Sequence, residues 1–141
     1  MKLAIVVANF YPAIAEALLD GALGLLEKEG IPKKSVLVFN VPGTYEIPLA
    51  VKKLADGKKY DGVIALGCLI RGATLHFDVI AHATLTHLQQ ISLQTGIPVT
   101  AGILMLENEA QALERLGGKK GHRGAEAARA ALEMVRALKE F

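Results

Sequence analysis

Residues 67–78 read Gly67-Cys68-Leu69-Ile70-Arg71-Gly72-Ala73-Thr74-Leu75-His76-Phe77-Asp78 and place a cation, a glycine, a hydroxyl and an imidazole in one short loop. An apolar run, Gly62 to Leu69, leads into the loop, and a helical pattern from Phe77 to about Gln94 leaves it. A strand that passes through such a loop into a helix makes a natural anion site. The first backbone N–H groups of the helix lack intrahelical partners, and the helix dipole favours negative charge there. Gly72 lets the backbone come close to a ligand. Thr74 offers a hydroxyl donor, and His76 can move a proton near neutral pH. The chemistry expected is proton transfer by His76 on a bound anionic substrate. The same residues also suit an ordinary connecting loop with a surface arginine and a helix-capping threonine.

The elements that position this loop follow from hydrophobic periodicity and from turn residues. Leu3 to Val7 reads as a buried strand, and Pro12 opens a helix that runs to about Glu29 before Gly30 and Pro32 stop it. Ser35 to Phe39 is a second strand. Thr44 is expected to cap a helix from Tyr45 to Ala55, with Pro48 tolerated in the first turn. Gly62 to Leu69 is the third strand and Val99 to Leu104 the fourth. Glu109 to Arg115 reads as a short helix, Leu116 to Gly124 as a glycine-rich basic loop, and Ala125 to Lys139 as an amphipathic helix. On that last helix Glu126, Arg129, Glu133 and Arg136 are spaced to pair. Strands alternating with helices argue for a parallel sheet covered on both faces, with ligands beyond the carboxyl ends of the strands.

On that rim the chain gathers Asn9, Phe10 and Tyr11 after strand one, Gly43 to Glu46 after strand two, and Arg71 to His76 after strand three. Arg115 and Arg123 come from later elements and can reach a phosphate on this rim or on a neighbour's. Each has a plainer reading: Phe10 and Tyr45 as packing, Glu46 as a dipole partner, the basic loop around Lys119 as a solvated surface. Four histidines do not imply a metal, because His82 and His87 lie on different faces of a helix and no cysteine pair assists them. Cys68 reads as inert packing. Walker, GxGxxG and GxSxG motifs are absent from the sequence.

The 141 residues suit a single domain, 1–141, with a large apolar fraction of 52% that can also feed a subunit interface. A net charge of +2 is too small to argue for nucleic-acid or membrane binding, and neither is expected. The lone Cys68 suits a reducing compartment, and no leader or bilayer-length run is apparent, so the expected location is cytoplasmic.

Leu69-Ile70-Arg71-Gly72-Ala73-Thr74-Leu75-His76-Phe77-Asp78 closely resembles the signature of the lumazine synthase family of riboflavin biosynthesis. Val41-Pro42-Gly43-Thr44-Tyr45-Glu46-Ile47-Pro48 resembles its second motif. Gln111-Ala112-Leu113-Glu114-Arg115, Gly121, Arg123-Gly124 and Glu126-Ala127-Ala128 resemble its C-terminal pattern. The similarity runs from about Leu3 to Met134. It implies a three-layer α/β/α sandwich with a four-stranded parallel sheet in the flavodoxin-like order 2-1-3-4. The implied reaction joins 5-amino-6-(ribitylamino)pyrimidinedione to 3,4-dihydroxy-2-butanone 4-phosphate. It yields 6,7-dimethyl-8-ribityllumazine, phosphate and water, without metal or organic cofactor.

By the same resemblance, Phe10 stacks on the pyrimidine, and Thr44, Tyr45 and Glu46 line the ring and ribityl pocket. Leu69 and Ile70 offer backbone groups to the ring edge. Ala73 and Thr74 hold the phosphate, His76 relays protons, and Arg115 reaches in from the adjacent subunit. Arg123 stands where the family usually has lysine, and His122 where it usually has asparagine. Leu75 replaces a usual proline. Asn9-Phe10-Tyr11 departs from the family's Arg-Phe-Asn, so roles of that arginine and asparagine do not carry over. Ala101 replaces an aromatic that often closes the pocket from the neighbouring subunit. A pentamer is implied as the unit. The compact loop from Leu116 to Gly124 permits an icosahedral shell of twelve pentamers, whereas the start of the chain, almost directly at its first strand, omits an arm that often braces a neighbour's sheet. Two alternatives are an archaeal-type riboflavin synthase, against which the intact Arg71–His76 stretch argues, and a flavin-binding or shell-forming protein without activity.

Overall fold

Leu3–Ala8 forms β1, and all of its residues are buried. The computed structural model describes residues 1–73 and 75–141 and builds a four-stranded sheet around this strand. Pro12–Lys28 is α1, Val36–Val41 is β2, Ile47–Asp56 is α2 and Gly62–Ile70 is β3. His76–Thr95 is α3, Val99–Leu106 is β4, and Arg123–Leu138 is α4. The strand order is β2-β1-β3-β4, with every neighbouring pair parallel. The expected three-layer sandwich and its 2-1-3-4 order are both present.

The apolar pattern explains the layers. β1 and β3 are central and covered on both faces, so both are apolar almost throughout. Leu3, Ile5 and Val7 face α1 and α4, while Ala4 and Val6 face α2 and α3. β2 is an edge strand: Val36 and Val38 pack inward, and Leu37 and Phe39 are exposed. Leu18 and Leu26 of α1 are fully buried, and each such side chain stabilises the fold by about 1.5–3 kcal/mol. α1 ends as its sequence predicts. Gly30 takes the left-handed conformation at φ 87°, and Ile31 and Gly30 donate to the carbonyls of Leu26 and Glu27.

Two expectations need correction. Thr44 does not cap α2. It opens a 3-10 turn, Thr44–Glu46, and the helix proper begins at Ile47. The cause is Pro48: it has no N–H to give the Thr44 carbonyl, which accepts instead from the Ile47 N–H. The glycine-rich stretch is not a plain loop either. Leu116–Gly118 and Gly121–His122 form a small antiparallel hairpin, β5 and β6, and α4 starts at Arg123. Before it, Glu109–Arg115 is a 3-10 helix capped by Asn108, whose side chain accepts from the Gln111 N–H at 3.2 Å. Arg129 of α4 turns to Glu29, the C-cap of α1, at 3.1 Å, which ties the two helices together across the surface.

α1 and α4 meet at unusually short range. A methyl group on Gly124 would overlap the Leu18 carbonyl, so this crossing requires glycine. Gly24, on the exposed side of α1, has nothing within 4 Å of an added methyl group. Gly124→Ala should therefore cost about 1–3 kcal/mol through overpacking. Gly24→Ala should stabilise by about 0.5–1 kcal/mol through reduced chain entropy. Chemical denaturation of the two variants beside the parent checks both signs.

Candidate active site

β1 and β3 lie side by side, but α1 and α3, which follow them, pack on opposite faces of the sheet. Chain order across the sheet reverses between them, and such a reversal opens a crevice beyond the carboxyl ends of the strands. A cleft of about 550 Å³ occupies that place. Phe10 and Tyr11 enter it from the end of β1, and Gly43 to Glu46 from the end of β2. Leu69, Ile70 and Gly72 come from the end of β3, and His76 with Phe77 and Ile80 from the first turns of α3.

Phe10 is 70% exposed, and its ring meets Tyr11 edge-on at 5.0 Å. It is not core packing. An aromatic ring left standing at the mouth of a cleft offers a face for a flat ligand. Tyr45 is 72% exposed beside it, and Glu46 presents a carboxylate. Thr44, by contrast, is buried and forms part of the floor, its hydroxyl 3.5 Å from the Cys68 carbonyl. Cys68 lies beneath. Burial, and then the Glu109 carboxylate, push its thiol up to about 12, so it stays protonated and unreactive near neutral pH. Burial also raises the Tyr11 hydroxyl, with Cys68 and Glu109 adding to the shift.

Arg71 has a structural task. Its guanidinium makes paired hydrogen bonds to Asp78, at 3.1 and 3.3 Å, in the first turn of α3. Its Nε lies 2.9 Å from a Glu107 oxygen just after β4. It also stacks 4.6 Å over the Phe77 ring. The hydrogen bonds to Asp78, then Glu107, hold the guanidinium still more firmly in its charged form. Arg71 thus staples both ends of the loop that delivers His76, and it faces two carboxylates. Glu107 falls in place because β3 and β4 pair in register up to Ile70 and Leu106.

Other residues singled out in the sequence lie elsewhere in one chain. Ala73 is an exposed loop residue outside the cleft lining, and Thr74 lies outside the described residues. Ala101 is exposed on β4, opposite Ala65. Arg115 ends the 3-10 helix and donates to the Gln111 carbonyl at 3.3 Å. Arg123 opens α4 at 3.8 Å from Glu126. None of these three lines the cleft. Conversely, Phe77 and Ile80 line it although the sequence motifs assign neither a role. Their signal was available: Ile80 sits four residues after His76 and therefore on the same helix face. Among the described residues, no three His, Cys, Asp or Glu side chains are grouped to hold a metal ion.

Comparison with known proteins agrees with this geometry. The family described as 6,7-dimethyl-8-ribityllumazine synthase matches residues 1–139. A 6,7-dimethyl-8-ribityllumazine synthase of Desulfotalea psychrophila is 50% identical over 134 residues, covering 95% of this chain and 86% of the relative. One of the same name from Nitratidesulfovibrio vulgaris strain DP4 is 44% identical over 141 residues, covering 100% of this chain and 90% of the relative. With its motifs in place around a switch-point cleft and the match running nearly end to end, the chain belongs to the 6,7-dimethyl-8-ribityllumazine synthase family.

Proposed function

We propose that the cleft carries out the family's condensation of 5-amino-6-(ribitylamino)pyrimidinedione with 3,4-dihydroxy-2-butanone 4-phosphate, the penultimate step of riboflavin biosynthesis. The observation that carries this reading is the convergence of an exposed aromatic ring, a carboxylate and an imidazole in one cleft. Phe10 stacks on the pyrimidine, Tyr45 and Glu46 flank the ring and ribityl chain, and Glu46 accepts from hydroxyls. The buried Thr44 shapes the floor, and backbone groups of Leu69 and Ile70 read the ring edge. Ala73 and Thr74 hold the phosphate ahead of α3 in the sequence, and the dipole of that helix favours an anion at its amino end.

The chemistry asks little of any single group. The amine and the carbonyl are already reactive, so holding them together supplies much of the rate. His76, in the first turn of α3, relays protons through imine formation, phosphate loss, tautomerisation and ring closure. Arg71 is committed to Asp78 and Glu107, so the phosphate takes its cation from elsewhere: Arg115, with Arg123, arriving from the neighbouring subunit. The placement of both outside the cleft of their own chain supports this sharing. Ala101, also outside it, leaves the neighbour's wall open.

The assembly follows from sharing. α3 leaves Val79 64% and Leu93 74% exposed, and Leu113 is 78% exposed beside Arg115. Apolar surface of this kind is covered when subunits meet. A pentameric ring is the unit, and the short β5–β6 hairpin leaves room for twelve rings to close into a shell. No helix among the described residues is long and apolar enough to cross a membrane. With Cys68 as a thiol, the protein suits the reducing cytoplasm.

His76→Ala should lower kcat by about a hundredfold, the low end for general acid–base catalysis, and weaken pyrimidine binding much less. Stopped-flow turnover with both substrates reads this, and an unchanged kcat would remove His76 from the mechanism. Arg115→Met should raise KM for the butanone phosphate about tenfold or more, as expected for a lost charge-assisted hydrogen bond. Inorganic phosphate should inhibit the parent competitively and this variant weakly; equal inhibition of both would show that Arg115 is not the anchor. Light scattering should report a pentamer or a multiple of it. A monomer would rule out the shared site, whereas an isolated pentamer would rule out only the shell.

A further inference from the structure

β6 ends at His122, and the same residue is the N-cap of α4. Three interactions meet on it. Nδ1 accepts from the Ala125 N–H at 3.3 Å, the position at which a cap satisfies one of the unpartnered donors of a helix. The ring lies against Gly21 of α1, and a methyl group there would overlap it. The backbone pairs with Leu116, the residue directly after Arg115.

The unit that carries Arg115 is folded on itself. The Lys120 N–H donates to the Glu114 carbonyl at 2.7 Å, and the Arg115 guanidinium donates to the Gln111 carbonyl at 3.3 Å. Gly118 lies so close to the Leu113 carbonyl that a methyl group would sit 2.5 Å from it. The hairpin and the 3-10 helix are thus joined by close backbone contacts. His122 ties this unit to two elements of the main body, to α1 through the glycine notch and to α4 through the cap.

We propose that His122 is a positioning residue for phosphate recognition: seated against Gly21 and capping α4, it sets the hairpin and thereby the direction in which Arg115 is presented. Alanine at this position keeps the backbone pairing but loses the cap and the ring. Asparagine supplies a cap acceptor of comparable reach. The proposal rests on the reading of Arg115 as the phosphate cation.

The test is steady-state kinetics on the assembled protein, with both substrates varied, for His122→Ala, His122→Asn, Gly21→Ala and Arg115→Met. His122→Ala should raise KM for the butanone phosphate about fivefold, the equilibrium effect of losing one cap, while kcat and the pyrimidine KM change by less than about twofold. His122→Asn should recover most of that affinity. Gly21→Ala, which displaces the ring while leaving His122 in place, should raise the same KM. An unchanged phosphate KM in His122→Ala, a parallel rise in both KM values, or an asparagine variant as impaired as alanine overturns the proposal. If the alanine variant does not assemble, an unchanged phosphate KM in Gly21→Ala overturns it instead. Arg115→Met separates the two layers. If it loses phosphate affinity and the His122 variants do not, positioning alone fails; if it also keeps its affinity, the reading of Arg115 fails as well.

Discussion

A parallel sheet whose chain order reverses between β1 and β3 leaves two adjacent strands with their following helices on opposite faces. Neither helix can cover the gap above the strand ends. That vacancy is a consequence of connectivity, and it exists whatever side chains surround it. The aromatic rings, the carboxylate and the imidazole of the candidate site lie around it. Phe10 and Tyr11 reach it because β1 ends at Ala8, and His76 reaches it because α3 begins there. The apolar strands below are buried on both faces, so they hold these ends with little freedom to shift.

Arg71 shows how charge is used on this rim. A guanidinium at the mouth of an anion site would be expected to bind the anion. Here Asp78 and Glu107 hold it from two sides, with the Phe77 ring beneath it. Exposed ion pairs contribute little stability individually. Three directional contacts to one planar group contribute geometry instead, because the fork of donors accepts few orientations. The loop between β3 and α3 is therefore braced at both ends, and His76 emerges from a fixed helix start.

The described residues that line the cleft include no lysine or arginine. Arg115 and Arg123 sit at the borders of the β5–β6 hairpin, away from the cleft, and the α1–α4 crossing holds that hairpin in place. Small residues make this crossing close: Gly21 accepts the His122 ring and Gly124 accepts the Leu18 carbonyl. Packing far from the cleft thus surrounds the hairpin that these two cationic residues border.

The sequence by itself determined the layered α/β class, the ends of most elements and the rim that bears the chemistry. These features depend on local periodicity and on punctuation such as Gly30 and Pro12, which act through the backbone of nearby residues. The family was legible too, because its motifs are short contiguous runs. Tertiary structure alone decided the rest. The carboxylate that joins Asp78 on Arg71 is Glu107, brought there by a strand register that sets residues far apart in sequence side by side. The burial of Thr44 depended on the nearby end of β3, so a residue with good capping chemistry became buried floor. The glycine-rich stretch from Leu116 became a hairpin because Gly117 and Gly121 take positive φ and His122 locks against α1. A local pattern shows what a residue can do; the partners supplied by distant segments decide which of those interactions it makes.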